Sequence, residues 1–162
     1  MAGMTPETVT PETITGIPEL RGRVGALLGT SDWLAVEQER IAAFAEATED
    51  RQWIHLDVER AARESPYGTT VAHGYLTLSL LPYLASRSFR VEGVRTRINY
   101  GLNRVRFTAP VPAGRRVRGA FRLVAVEHQS GGRVLVTVEA TVEIEGGERP
   151  ACVAEMLAIY ME

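Results

Sequence analysis

Two residues whose side chains handle protons near neutral pH stand five apart in Glu49-Asp50-Arg51-Gln52-Trp53-Ile54-His55. An aspartate and a histidine at this spacing can both be aimed at one water molecule if the stretch between them is irregular, which a single helix face would not achieve. The same pair also has a plain structural reading, an aspartate capping a helix beside a histidine bonded to main chain. What the flanking residues fold into therefore bears on which reading holds.

Residues Ile41, Phe44, Ala45 and Thr48 recur at helical spacing and predict a helix over roughly 37–47, ending just before Asp50. Asp57 is placed to cap a second short helix over 58–63, and Ser65-Pro66-Tyr67-Gly68 breaks it. Asp50 to His55 then lies in a link between helices. A further helix is expected over about 74–86, where Tyr75, Leu76, Leu78, Leu80, Leu81, Tyr83 and Leu84 are apolar on every side, so that other structure should wrap it. Pro82 inside it should bend it or end it early. Beyond Phe89 the period becomes two: Val134, Val136, Val138, Ala140, Val142 and Ile144 alternate with Thr137, Glu139, Thr141 and Glu143. Similar strands are expected over about 95–107, 116–127 and 151–160, with turns at Pro110-Val111-Pro112, Gly131-Gly132 and Gly146-Gly147. Helices followed by a meander of long strands predict an α+β fold with an antiparallel sheet around the apolar helix. The Thr-Pro-Glu-Thr echo near the start is polar and proline-punctuated, so residues 1–16 read as a flexible tail and 17–162 as one domain.

Composition excludes several chemistries. Cys152 is the only cysteine, which rules out an intrachain disulfide and a thiolate metal cluster. There is no lysine: all 18 basic residues are arginine, which removes Schiff-base and pyridoxal phosphate chemistry and a phosphate-loop lysine. His55, His73 and His128 show no metal-ligand spacing, so no metal is expected. Neither a long apolar span nor a secretory leader is present, which predicts a soluble cytoplasmic protein with no membrane partner. The net charge of −2 hides ten arginines against a single acid, Glu92, between Arg87 and Arg122. That segment is either a solvated sheet face or a contact for an anionic partner. Overall acidity and the lack of a binding motif argue against nucleic acid.

Several motifs in order carry a family resemblance. The Asp50 to His55 run resembles the Asp-x-Asn-Pro-x-His hydratase motif of the MaoC-like, hot-dog-fold acyl-thioester enzymes, with Gln52 in place of Asn and Trp53 in place of Pro. His55-Leu56-Asp57 with Ala61, and Thr70-Val71-Ala72-His73-Gly74 opening the apolar helix, are similar to that family too. The stretch from Ile98 to Phe107 and Pro150-Ala151-Cys152-Val153-Ala154-Glu155 resemble its nodulation-protein-N-like branch. The likeness runs from about Val24 to Tyr160.

The resemblance implies a hot-dog fold, a homodimer, no cofactor, and (R)-specific hydration of a trans-2-enoyl thioester carried by coenzyme A or acyl carrier protein. It assigns Asp50 and His55 to the water and the main-chain N–H of Gly74 to the thioester oxygen, although a glycine there equally suits close packing. Gln52 is a candidate to orient Asp50 or the water, Trp53 a candidate pocket wall or core residue, and Asn99 a candidate to reach the site from its strand. Arg104 and Arg106, with others on the sheet, are candidates for the coenzyme A phosphates or the acidic face of a carrier protein. His73 reads as a bonded framework residue. Two rival reactions fit the same fold: thioester hydrolysis, and addition of an amine nucleophile whose carboxylate Arg51 would hold. A non-catalytic acyl-binding module is the rival from a different class.

Overall fold

A computed structural model describes residues 8–162. In chain order the elements are β1 Glu12–Thr15, α1 Gly16–Gly22, β2 Leu27–Thr30, β3 Leu34–Val36, α2 Gln38–Thr48, α3 Trp53–Leu56 and α4 Val58–Glu64. They continue with α5 Gly74–Ser79, α6 Leu81–Ser86, β4 Phe89–Glu92, β5 Thr96–Phe107, β6 Arg115–Gln129, β7 Arg133–Ile144 and β8 Cys152–Met161. This is the α+β arrangement with an antiparallel sheet expected from the pattern, and the hot-dog fold that the resemblance implies. The large sheet is antiparallel with order β2-β6-β7-β8-β5, and β3 shares the outer edge of β6 with β2. Alternation along β7 sends Val134, Val136, Val138, Ala140 and Val142 into the core. Phe121, Leu123 and Ala154 join them from β6 and β8, and Leu76, Leu80, Leu81, Leu84 and Ala85 meet them from α5 and α6.

The helix expected over 74–86 is two short helices with Leu80 between them. Pro82 sits in the first turn of α6, where its missing N–H costs least. The approach of α6 to the sheet depends on Gly119, since a Cβ there would lie 2.7 Å from the Phe121 ring and 3.0 Å from Cβ of Leu84. The helices are not wrapped on every side: Tyr75 is 67% and Tyr83 51% exposed, because the sheet covers one face only.

The expected flexible tail is also corrected. Residues 1–7 lie outside the described residues, but Glu12–Thr15 pairs in parallel with β4 and fully buries Ile14, so the fold begins by residue 12. Among the described residues no helix is long and apolar enough to cross a membrane.

Candidate active site

The link between α2 and α4 is built by its ends. At the end of α2, Glu49 takes the left-handed conformation (φ 63°), which turns the chain out of the helix immediately before Asp50. At the other end Asp57 accepts the Arg60 N–H at 2.9 Å and starts α4. Asp50 is exposed in the irregular part, whereas His55 is half-buried within the single turn of α3.

His55 is held from three sides. Its Nδ1 lies 2.6 Å from the Val71 carbonyl, and the Val71 N–H donates to the Ile54 carbonyl at 3.2 Å. The Gln38 amide donates to the His55 carbonyl at 2.7 Å and accepts the Thr70 hydroxyl at 2.5 Å. A carbonyl oxygen only accepts, so His55 Nδ1 carries the hydrogen and neutral His55 presents an Nε2 lone pair. Burial pushes the His55 pKa below its ordinary 6.5, partly opposed by the Val71 carbonyl; nearby His73 lowers it further and Asp50 raises it. The imidazole is therefore neutral at neutral pH and able to accept a proton.

His73 lies beneath this pair. It is 2% exposed, its Nε2 is 2.9 Å from the Asp50 carbonyl, and its ring stacks on that of His55 with centroids 3.8 Å apart. Asp50, His55 and His73 each offer a donor atom within 4.8 Å of the others, a grouping that histidine spacing in the sequence does not reveal. As a metal site the fit is poor. One nitrogen of each ring is committed to a carbonyl, and with the rings stacked at 24° their in-plane lone pairs run side by side instead of converging. The group is better suited to moving protons.

Comparison with known proteins agrees with this architecture. Residues 19–146 match the description of the MaoC like domain. The chain belongs to the MaoC-like family. It is 51% identical over 149 residues to 3-hydroxyacyl-thioester dehydratase Z of Mycobacterium tuberculosis (strain ATCC 25618 / H37Rv), covering 92% of this chain and 98% of that one. It is 44% identical over 144 residues to Nodulation protein N of Rhizobium leguminosarum bv. viciae, covering 88% and 89%. The solved (R)-hydratase of A. caviae involved in PHA biosynthesis shares the fold with a TM-score of 0.68 at 24% identity, covering 83% of this chain and 94% of that one.

The other candidate residues of this MaoC-like chain fall unevenly about the site. Gly74 is the first residue of α5, so its N–H has no acceptor within the helix. It lines a cleft of about 340 Å³ together with Tyr67, Ala72, Thr77, Phe107 and Val111. Packing constrains it as well, since a Cβ on Gly74 would lie 2.6 Å from Cδ2 of Phe107. Trp53 is half-buried with the Arg60 guanidinium 4.2 Å above its ring. The Gln52 side chain is exposed and makes no capping bond.

Three groups of candidates have other placements or partners among the described residues of one subunit. The guanidinium of Arg51 is occupied by the carboxylates of Glu46, at 2.8 and 2.9 Å, and of Glu49, instead of turning toward Asp50 and His55. Asn99 lies on β5 eight residues before Phe107; at about 3.3 Å per residue that puts it roughly 25 Å from the Gly74 end of the strand within one subunit. Arg116 pairs with Glu145, just past the end of β7, Arg118 pairs with Glu143 on β7, and Arg122 donates to the Gly25 carbonyl. Arg104 and Arg106 are exposed near the Phe107 end of β5 and pair with no carboxylate among the described residues. The residues that sequence reasoning left out are Gln38 and Thr70, which fix the His55 main chain. The only signal for Thr70 was its place in Thr70-Val71-Ala72-His73-Gly74.

Proposed function

We propose that this lyase adds water reversibly across the double bond of a trans-2-enoyl thioester, forming the (R)-3-hydroxyacyl thioester, and dehydrates that product in the reverse direction. The observation that carries the reading is the pairing of the Asp50 carboxylate with a neutral His55 whose Val71 bond leaves Nε2 free. In the forward reaction the carbon–carbon π bond breaks, the water oxygen bonds to the β-carbon, and Asp50 and His55 carry a proton from that water to the α-carbon. Positioned acid-base help of this kind contributes about a hundred- to ten-thousandfold. Negative charge growing on the thioester oxygen is met by the N–H of Gly74, which lines the cleft. Acid-base chemistry on a water needs neither metal nor organic cofactor.

Arg104 and Arg106, unpaired near the same end of β5, are suited to the phosphates of coenzyme A or the acidic face of a carrier protein. A homodimer is part of the proposal. The free edge strand β5 presents Ile98, Tyr100, Leu102 and Phe107 exposed, and an apolar edge of this kind needs a partner.

The test follows the conjugated-thioester absorbance and free thiol together when the protein meets a short trans-2-enoyl-CoA. Loss of absorbance without thiol is the expected result. Thiol release would point to hydrolysis instead, and unchanged rates in both Asp50→Asn and His55→Ala would refute the assignment of the pair.

A further inference from the structure

The segment 70–73 touches everything the proposed reaction uses. The Val71 carbonyl fixes the tautomer of His55, the Thr70 hydroxyl holds the Gln38 amide that grips the His55 main chain, and the chain then enters α5 with the N–H of Gly74. Asp50 is the one group of the site that lies outside these ties. His73 supplies its tie, because its Nε2 donates to the Asp50 carbonyl across 2.9 Å.

A buried histidine here comes at an energetic cost. Donation from Nε2 leaves the lone pair of neutral His73 on Nδ1, a buried atom with no hydrogen-bond partner. An unsatisfied buried polar atom carries a desolvation cost that a leucine or methionine packed against Phe44 and His55 would avoid. What hydrocarbon cannot supply is the bond to Asp50.

We infer that His73 is a positioning residue: with its hydrogen on Nε2, it ties the Asp50 main chain to the segment that also sets His55 and Gly74. The inference rests on the hydration reading for its kinetic consequence and on geometry alone for its tautomer.

Glutamine and asparagine separate the tie from bulk and polarity. A glutamine at 73 carries an amide N–H as far out as Nε2, whereas asparagine carries the same amide one bond short. In His73→Asn the Asp50 main chain loses its anchor, and kcat falls about 10- to 100-fold while KM changes less than about threefold. His73→Gln recovers most of that loss at a similar Tm. Wild-type activity in His73→Asn overturns the inference, as does a His73→Gln enzyme equally impaired at a matched Tm. If either variant fails to fold, long-range proton–nitrogen NMR of the wild-type imidazoles at neutral pH decides. A hydrogen on Nε2 of His73 is expected; an Nδ1–H tautomer, with no Nε2 hydrogen to donate, overturns the tie. A wild-type protein inactive on enoyl thioesters would remove the hydration reading and leave the NMR result to decide the tie alone.

Discussion

Gly74 carries two demands that one pair of double variants separates. A methyl group placed on it would lie 2.6, 2.8 and 2.9 Å from three carbons of the Phe107 ring, where ordinary carbon contacts are about 3.5–4.0 Å. Gly74→Ala alone should therefore cost about 1–3 kcal/mol of stability, as overpacked sites do. The cost should fall at the lower end, because Phe107 is 43% exposed and can swing outward at the expense of its edge contact with Tyr75. Removing the ring with Phe107→Ala opens the space. In that background Gly74→Ala keeps the N–H and Gly74→Pro deletes it. The backbone accepts proline: position 74 is the first of its helix, and His73 before it already has φ −59° and ψ 138°, the extended conformation a residue preceding proline needs. If the N–H stabilises the thioester oxygen, the proline double variant should lose about 2.7–4 kcal/mol of barrier stabilisation relative to the alanine one, or about 100- to 1000-fold in kcat. Steady-state hydration of an enoyl-CoA, with Tm matched between the two, reads this directly. Equal kcat in the two double variants would refute the oxyanion role and leave packing as the whole reason for glycine.

Three further outcomes are expected. Burial lowers the His55 pKa, so its neutral form should contribute stability that is present above 6.5 and lost as pH falls from there through the lower folded value. The acid limb of the rate profile should accordingly fall below 6.5, and denaturation of His55→Gln across pH 5–7 should show a weaker pH dependence than wild type. Gln38→Leu leaves the Thr70 hydroxyl and the His55 carbonyl without their partners, and should cost about 1–3 kcal/mol in urea denaturation together with a fall in kcat. Glu49→Gly relieves the left-handed strain at the end of α2 and should raise stability by up to about 1 kcal/mol, offset by the loss of its exposed pair with Arg51; an unchanged or lowered midpoint would count against strain there.

How much of this was legible in the sequence depends on how far apart the interacting residues are. The period of β7 could be read directly because a long alternating run has one consistent solution, and Asp50 and His55 stood out because both lie in one link. Ile14 did not stand out, since one apolar residue among Thr and Glu has no period; its burial comes from pairing with Val91 far along the chain. The all-round apolar pattern of α5 and α6 predicts all-round burial, whereas the two tyrosines emerge on the face the sheet does not cover. The bonds that set the tautomers of His55 and His73 and fix Gln38 join residues 16, 23 and 32 apart, so no local spacing could announce them.

The arginine asymmetry shows the same limit from the side of charge. Counting along the chain credits residues 87–122 with a strong positive excess, but register decides how much of it faces a ligand. Pairing Val117 with Ile144 and Arg118 with Glu143 brings the carboxylates of Glu143 and of Glu145, just past β7, to the guanidiniums of Arg118 and Arg116 on β6, and Arg87 is held by Asp32. Edge strand β5 has only β8 beside it, and there Glu155 accepts from Asn103 instead of pairing with an arginine. Arg104 and Arg106 thus keep their charge near the Gly74 end of the cleft. If an anionic carrier uses this end, Arg104→Ala and Arg106→Ala should raise KM for an enoyl-CoA, with the effect shrinking as salt screens exposed charge, while kcat holds. A fall in kcat at unchanged KM would place them in the chemistry instead.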